Sequence, residues 1–249
     1  PDNGGTVRRL VLQFAEALDP ALARFIESNV AFPSTMVDRI VPATTDADRE
    51  RISAAIGLDD AWPVKTEPFM QWVVEDHFPS GRPSWEKFGV EMVKDVRPYE
   101  EMKLRLLNGS HSGMAYLGLL CGRESISDAF GDADIRGFVD RLWSEAIPTL
   151  PTDAGLDPRA YTQALAKRFS NTALVHRTAQ IAMDGSQKLP QRIVTTSRTQ
   201  LEHGRRADHL MLVAAAWIAA CEARGNSLPA GHFTDPLDAK LAEIFAQKK

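Results

Sequence analysis

The polar residues in PYEEMKLRLLNGSHSGMAYLGLLCG, residues 98–122, stand out because the stretch around them is strongly apolar. Lys103, Asn108 and His111, with Glu100 just before them, are residue types that together can move a proton to or from an oxygen and stabilise charge on it. A lysine beside Leu104 and Leu107 has its charged form disfavoured by burial, which draws its pKa toward neutrality and suits a general acid/base. Asn108 and His111 can donate hydrogen bonds to a carbonyl or developing alkoxide oxygen, and Glu100 could relay protons to solvent. By residue type alone a blander arrangement stays open: Lys103 reaching out to water, Asn108 at a kink and His111 as a satisfied core histidine.

The element that must position them is predicted to be one buried helix over residues 98–122. Pro98 fits the first turn, where its missing N–H costs nothing, and Glu100 and Glu101 complement the positive helix end. On an α-helical wheel with Lys103 at the origin, Glu100 falls about 60° round, His111 about 80° and Asn108 about 140°, so all four share one side. The opposite side carries Met102, Leu106, Gly109 and Gly113. Two glycines four apart admit a neighbouring backbone, each costing about 1 kcal/mol of helix stability.

The string K-x-x-x-x-N-x-x-H formed by Lys103, Asn108 and His111 resembles the signature of the long-chain mannitol dehydrogenase family, which includes fructuronate and tagaturonate reductases. The resemblance implies that the lysine is the general acid/base, that the asparagine and histidine hold the reacting oxygen, and that Glu100 gates proton exchange. It extends through FPSTMVDRIVPATT, where Val37 and Asp38 match substrate-pocket positions. By itself, a buried strand aspartate is as well explained by an ion pair with Arg39 or Arg105 as by a ligand.

Further along, ALVHRTAQIAMDGSQKLPQR is more similar to the fructuronate reductase (D-mannonate oxidoreductase) branch than to mannitol dehydrogenases, where an arginine is expected in place of Gln180. His176, Arg177, Lys188 and Arg192 lie nearby as donors. Lys188, expected at a helix start after the turn Asp184-Gly185-Ser186, is the first choice for pairing with a substrate carboxylate, and Arg177 the second. Without the resemblance, Lys188 reads as a solvated lysine.

Composition narrows the remaining classes. With 249 residues, 44% hydrophobic and 25% charged, the chain can bury a large core. A net charge of -4 and only short basic pairs give no footprint for nucleic acid. Two cysteines and six scattered histidines lack metal-ligand spacing, and no apolar run approaches the roughly 18 residues of a membrane span. A metal-free cytoplasmic protein without membrane or nucleic-acid partners is expected.

Apolar spacing predicts helices over residues 6–18 and from Pro20, with Leu22, Phe25 and Ile26 facing inward. Strands are predicted over residues 35–41, 67–74 and 89–96, a short helix over 46–56 closed by Gly57, and helices beyond residue 96, two of them opened by Asp157-Pro158 and Asp235-Pro236. The last two helices are predicted over residues 207–224 and 235–248. The fold expected is therefore mainly α. The family resemblance, rather than the periodicity, implies that residues 1–95 are the C-terminal part of an α/β nucleotide-binding domain, a remnant of a Rossmann-type fold. Residues 96–249 would be an all-helical substrate domain that resembles the C-terminal domain of 6-phosphogluconate dehydrogenase.

The family resemblance implies NAD as cofactor and a small sugar acid or polyol as substrate, with fructuronate favoured and mannitol or tagaturonate as alternatives. The sequence has no G-x-G-x-x-G, so NAD would be bound mainly by residues upstream of PDNGG, and the chain reads as the C-terminal part of a longer protein. A reading from another class, a non-catalytic helical module that docks a partner on its polar face, is separated from an enzyme by whether Lys103 lies in a cleft or on a convex surface.

Overall fold

A computed structural model describes residues 1–152, 155–223, 228 and 231–247. The chain packs as two units, one of residues 1–40 and 67–101, the other of residues 41–66 and 102–249.

In the first unit, helix α1 (Asn3–Leu18) and helix α2 (Pro20–Asn29) form a pair joined at Asp19. Asp19 accepts the Ala21 N–H at 2.8 Å while Pro20 occupies the first helical position, so the Asp-Pro pair opens α2 as predicted. The apolar stripe of these helices does not face inward. Leu10, Phe14 and Leu18 are 57%, 69% and 65% exposed and Phe25 is 60% exposed. Periodicity defines an apolar face but says nothing about what covers it.

Three short strands follow, β1 (Thr35–Asp38), β2 (Gln71–Glu75) and β3 (Glu91–Val93), in the order β1-β2-β3. β1 and β2 run antiparallel and β2 and β3 parallel, with Met36 opposite Val73 and Val74 opposite Met92. All three are shorter than the sequence predicts. Ile40 gives its N–H to the Glu67 carboxylate at 2.6 Å instead of extending β1, and Pro68 has no N–H to give a ladder, so β2 begins at Gln71. Gly89 takes the left-handed conformation, φ 85°, to close the turn before β3. Met36, Val73 and Val96 make a small core under the sheet.

In the second unit, α3 (Asp46–Ile56) carries the predicted boundaries: Thr45 and Asp48 form a reciprocal capping box and Gly57 closes the helix at φ 71°. The rest of this unit is a helical assembly around α5 (Gly109–Leu120), ten of whose residues are buried. It packs against α6 (Ile126–Gly131), α7 (Ala133–Ala146), α9 (Thr178–Ala182) and α12 (Asp208–Ala223). Phe130, Leu142, Leu165, Phe169 and Leu210 fill the space between, together with Tyr116 and Phe233.

Asp157-Pro158 opens α8 (Pro158–Phe169). Asp235-Pro236 does not open a helix. Asp235 instead accepts the N–H groups of Ser186 at 2.8 Å and Leu237 at 3.0 Å, and α13 begins later, at Asp238–Ala246. The predicted ends of the last two helices, Arg224 and Lys248, lie outside the described residues. Among the described residues no helix is long and apolar enough to cross a membrane.

Candidate functional site

The helix expected over residues 98–122 exists, but in three segments: α4 (Arg97–Met102), a π-helical turn over Lys103–Asn108, and α5. In the π turn each N–H reaches five residues back rather than four, as Gly109 does to the Leu104 carbonyl. Five residues then make little more than one turn. Lys103 and Asn108, which an α-helix would set about 140° apart, are drawn toward one face. His111 and Ser112, three and four residues beyond Asn108, continue that face on α5.

The π turn is braced from outside. The Trp143 indole N–H donates to the Leu106 carbonyl at 3.0 Å, and the Ser110 hydroxyl donates to the same carbonyl and to that of Leu107. Behind it lies a second π turn. Helix α10 (Gly185–Leu189) runs through a π segment, Pro190–Val194, into α11 (Thr195–Glu202), so residues 185–202 are helical throughout. The turn Asp184-Gly185-Ser186 therefore begins this helix, with Asp184 left-handed at φ 59°, so the helix starts at Gly185 rather than at Lys188, with Lys188 still near its N-terminus and Pro190 inside it. A proline there removes one backbone donor and crowds the preceding turn, and the wider π ring accommodates it. The two π segments pack on each other where Gly109 meets the Arg192 carbonyl; a Cβ on Gly109 would lie 3.6 Å from it. That distance is ordinary van der Waals contact, so the approach does not itself require glycine at position 109. Gly113 instead faces the Phe138 ring, 2.8 Å from where its Cβ would be.

His111 is the centre of this arrangement. It is 5% exposed, its ring lies 4.9 Å from Phe169 and 5.3 Å edge-on from His176, and its Nε2 is buried without a hydrogen-bond partner among the described residues. Burial holds its pKa well below the usual histidine range, and His176, Arg192, Arg168 and Lys103 push it the same way. The imidazole is neutral, with one N–H available to a ligand oxygen. His176 is pushed down to about 4 by burial, and its Nδ1 also has no partner. Lys103 and Asn108 are half-buried at the two ends of the π turn.

The other predicted residues are placed as follows. In the first unit, Glu100 accepts the Asp2 backbone N–H with both carboxylate oxygens, at 3.1 and 3.0 Å; Asp38 is 1% exposed at the end of β1; and Val37 beside it is 50% exposed. Arg39, one of the partners weighed for Asp38, donates its Nε to the Glu67 carbonyl, and Arg105 donates to Thr149. In the second unit, Lys188 is committed locally, donating to the Met183 carbonyl at 2.6 Å with Asp184 at 3.5 Å. Burial and the Arg192 charge lower its pKa. Arg177 and Gln180 are exposed, Arg177 immediately before α9 and Gln180 within it. Sequence reasoning did not single out Ser112 or Phe169 for the site. Ser112, four residues from Asn108, was the legible signal.

Comparison with known proteins decides the family. A family model described as the mannitol dehydrogenase C-terminal domain matches residues 95–249, and one described as the mannitol dehydrogenase Rossmann domain matches residues 1–87. The chain belongs to the mannitol dehydrogenase family. Within it, the chain is 48% identical over 95% of its length to the uncharacterized oxidoreductase YdfI of Escherichia coli, and 46% identical over 99% to the D-mannonate oxidoreductase of the same organism, covering 49% and 51% of those proteins. Among solved structures, Pseudomonas fluorescens mannitol 2-dehydrogenase in a ternary complex with NAD and D-mannitol superposes with a TM-score of 0.87 at 38% identity, over 99% of this chain and 50% of that one. The chain thus spans about half the length of these relatives. The mainly helical fold with a small α/β part agrees with this membership.

Proposed function

We propose that this chain is the substrate-binding and proton-transferring half of an NAD-dependent oxidoreductase that interconverts D-fructuronate and D-mannonate. Residues 1–95 would complete a nucleotide-binding domain and residues 96–249 form the helical substrate domain. The carrying observation is His111: a buried, neutral imidazole whose Nε2 has no partner among the described residues, on the face that the π turn shares between Lys103 and Asn108. A buried polar atom without a partner is costly unless a ligand supplies one.

In the reduction, the Lys103 ammonium donates its proton to the C5 carbonyl oxygen of fructuronate, and Asn108 with neutral His111 donates hydrogen bonds to that oxygen as charge develops. In the oxidation, Lys103 as free amine takes the hydroxyl proton back. Glu100 would exchange that proton with solvent, and Asp38 and Val37 would contact the substrate. The nicotinamide would supply or take the hydride. The sequence contains no G-x-G-x-x-G loop for the pyrophosphate.

The uronate is preferred to mannitol because Gln180 stands where mannitol dehydrogenases are expected to carry arginine, and because the 46% identical relative is a D-mannonate oxidoreductase. Steady-state kinetics with fructuronate, tagaturonate and fructose, on protein that includes the nucleotide-binding half, test this reading. A higher kcat/KM for fructuronate is expected; a clear preference for fructose refutes it. Tagaturonate, differing at one hydroxyl, is the nearest alternative.

A further inference from the structure

We propose that Arg192 is the residue that receives the carboxylate of an acidic sugar substrate, an inference that rests on the uronate reading above. The two cations first expected in that role are ill placed for it. Lys188 spends its ammonium on the Met183 carbonyl and Asp184, and Arg177 is exposed just ahead of α9.

Arg192 is different on three counts. It is half-buried, and among the described residues no carboxylate lies within ion-pairing distance; the one hydrogen bond of its guanidinium runs from Nη1 to the Ser112 hydroxyl at 3.2 Å. Burial is costly enough to lower even its pKa, with only Tyr116 opposing. Ser112 is the neighbour of His111 and lies four residues from Asn108, so the guanidinium is delivered to the face that carries the oxygen-holding groups. The ionisable groups felt most strongly at His111, namely His176, Arg192, Arg168 and Lys103, are all basic. A partly buried guanidinium with no carboxylate at ion-pairing distance among the described residues suits an anionic ligand. Its planar fork matches the two oxygens of a carboxylate.

The π turn at Pro190–Val194 supplies the placement. It sets the phase of the helix two residues before Arg192 and brings the Arg192 carbonyl against Gly109.

The test uses the 249-residue chain, since Arg192, Ser112 and His111 all lie in one unit. Thermal melting is followed with D-mannonate, mannitol or inorganic phosphate at tens of millimolar. D-mannonate is expected to raise Tm where mannitol and phosphate do not. Arg192→Met should abolish the rise and Arg192→Lys should retain part of it. No rise with D-mannonate, an equal rise with phosphate, or a rise that survives Arg192→Met overturns the proposal.

A second readout separates this idea from the function it rests on. In protein with the nucleotide-binding half, Arg192→Met should lower kcat/KM for fructuronate at least tenfold, mainly through KM. If fructuronate is turned over and its KM is unchanged by Arg192→Met, Arg192 is not the carboxylate site although the uronate reading stands. If only fructose is turned over, the uronate reading fails and this proposal with it.

Discussion

His176 lies edge-on to His111, and both imidazoles are held neutral by burial. The consequence for pH runs in one direction. His176 titrates at about 4 in the fold against an ordinary 6.5, so the unfolded chain binds its proton first as pH falls. Stability is complete above about pH 6.5 and declines on the way down to about 4, with His111 adding in the same sense. A single such shift corresponds to about 2 kcal/mol by pH 5 as an upper figure, since solvent relaxation reduces it. Urea denaturation at pH 7 and pH 5 should show this loss in the natural chain and a smaller one in His176→Phe; equal losses would mean His176 is solvated. Lys103 is the other residue whose replacement is decisive. With the nucleotide-binding half present, Lys103→Ala should reduce kcat by at least about a hundredfold, the scale of general acid/base catalysis, while NADH binding measured by fluorescence is unchanged. Retained turnover would remove Lys103 from the proton-transfer role.

At the scale of the element, the π turn over Lys103–Asn108 is the feature that converts spacing into geometry, and a π turn needs help. Its hydrogen bonds are less favourable than α-helical ones, and segments of this kind persist where neighbours favour them. Here the neighbour is α7, whose Trp143 indole donates to the Leu106 carbonyl at 3.0 Å. Trp143→Phe keeps most of the ring and deletes that donor. It should cost about 1–2 kcal/mol in denaturant unfolding, a hydrogen bond plus part of a desolvated carbonyl. Ser110 donates to the same carbonyl, so a loss near zero would show that the serine alone satisfies it.

For the whole molecule, the uneven distribution of apolar surface matters most. The second unit has a large core around α5 but leaves Trp62, Leu58 and Leu201 exposed, and in the first unit α1 and α2 present Leu10, Phe14, Leu18 and Phe25 to solvent. Adjacent exposed apolar residues of this kind bind hydrophobic dyes. The chain should enhance anilinonaphthalene sulfonate fluorescence at neutral pH, and the double variant Phe14→Glu, Phe25→Glu should lose a measurable part of that signal without loss of helical circular dichroism. Unchanged fluorescence would place the dye site elsewhere.

What the sequence determined by itself was local and periodic. Asp19-Pro20, Gly57 and Asp157-Pro158 set helix ends through their own hydrogen bonds and dihedral preferences, and each is found where its chemistry puts it. Lys103, Asn108 and His111 were legible as an anomaly because polar residues in an apolar helix need a reason. Only the tertiary structure decided how they face one another, because an α-helical wheel assumes four-residue hydrogen bonds and the packing of Trp143 and the Pro190–Val194 segment imposes five. It also decided which cation is short of a partner. Lys188 and Arg192 are alike in sequence, but Lys188 meets a carbonyl and an aspartate of its own segment, whereas the Arg192 guanidinium meets the Ser112 hydroxyl of a distant one, a contact that no local pattern encodes.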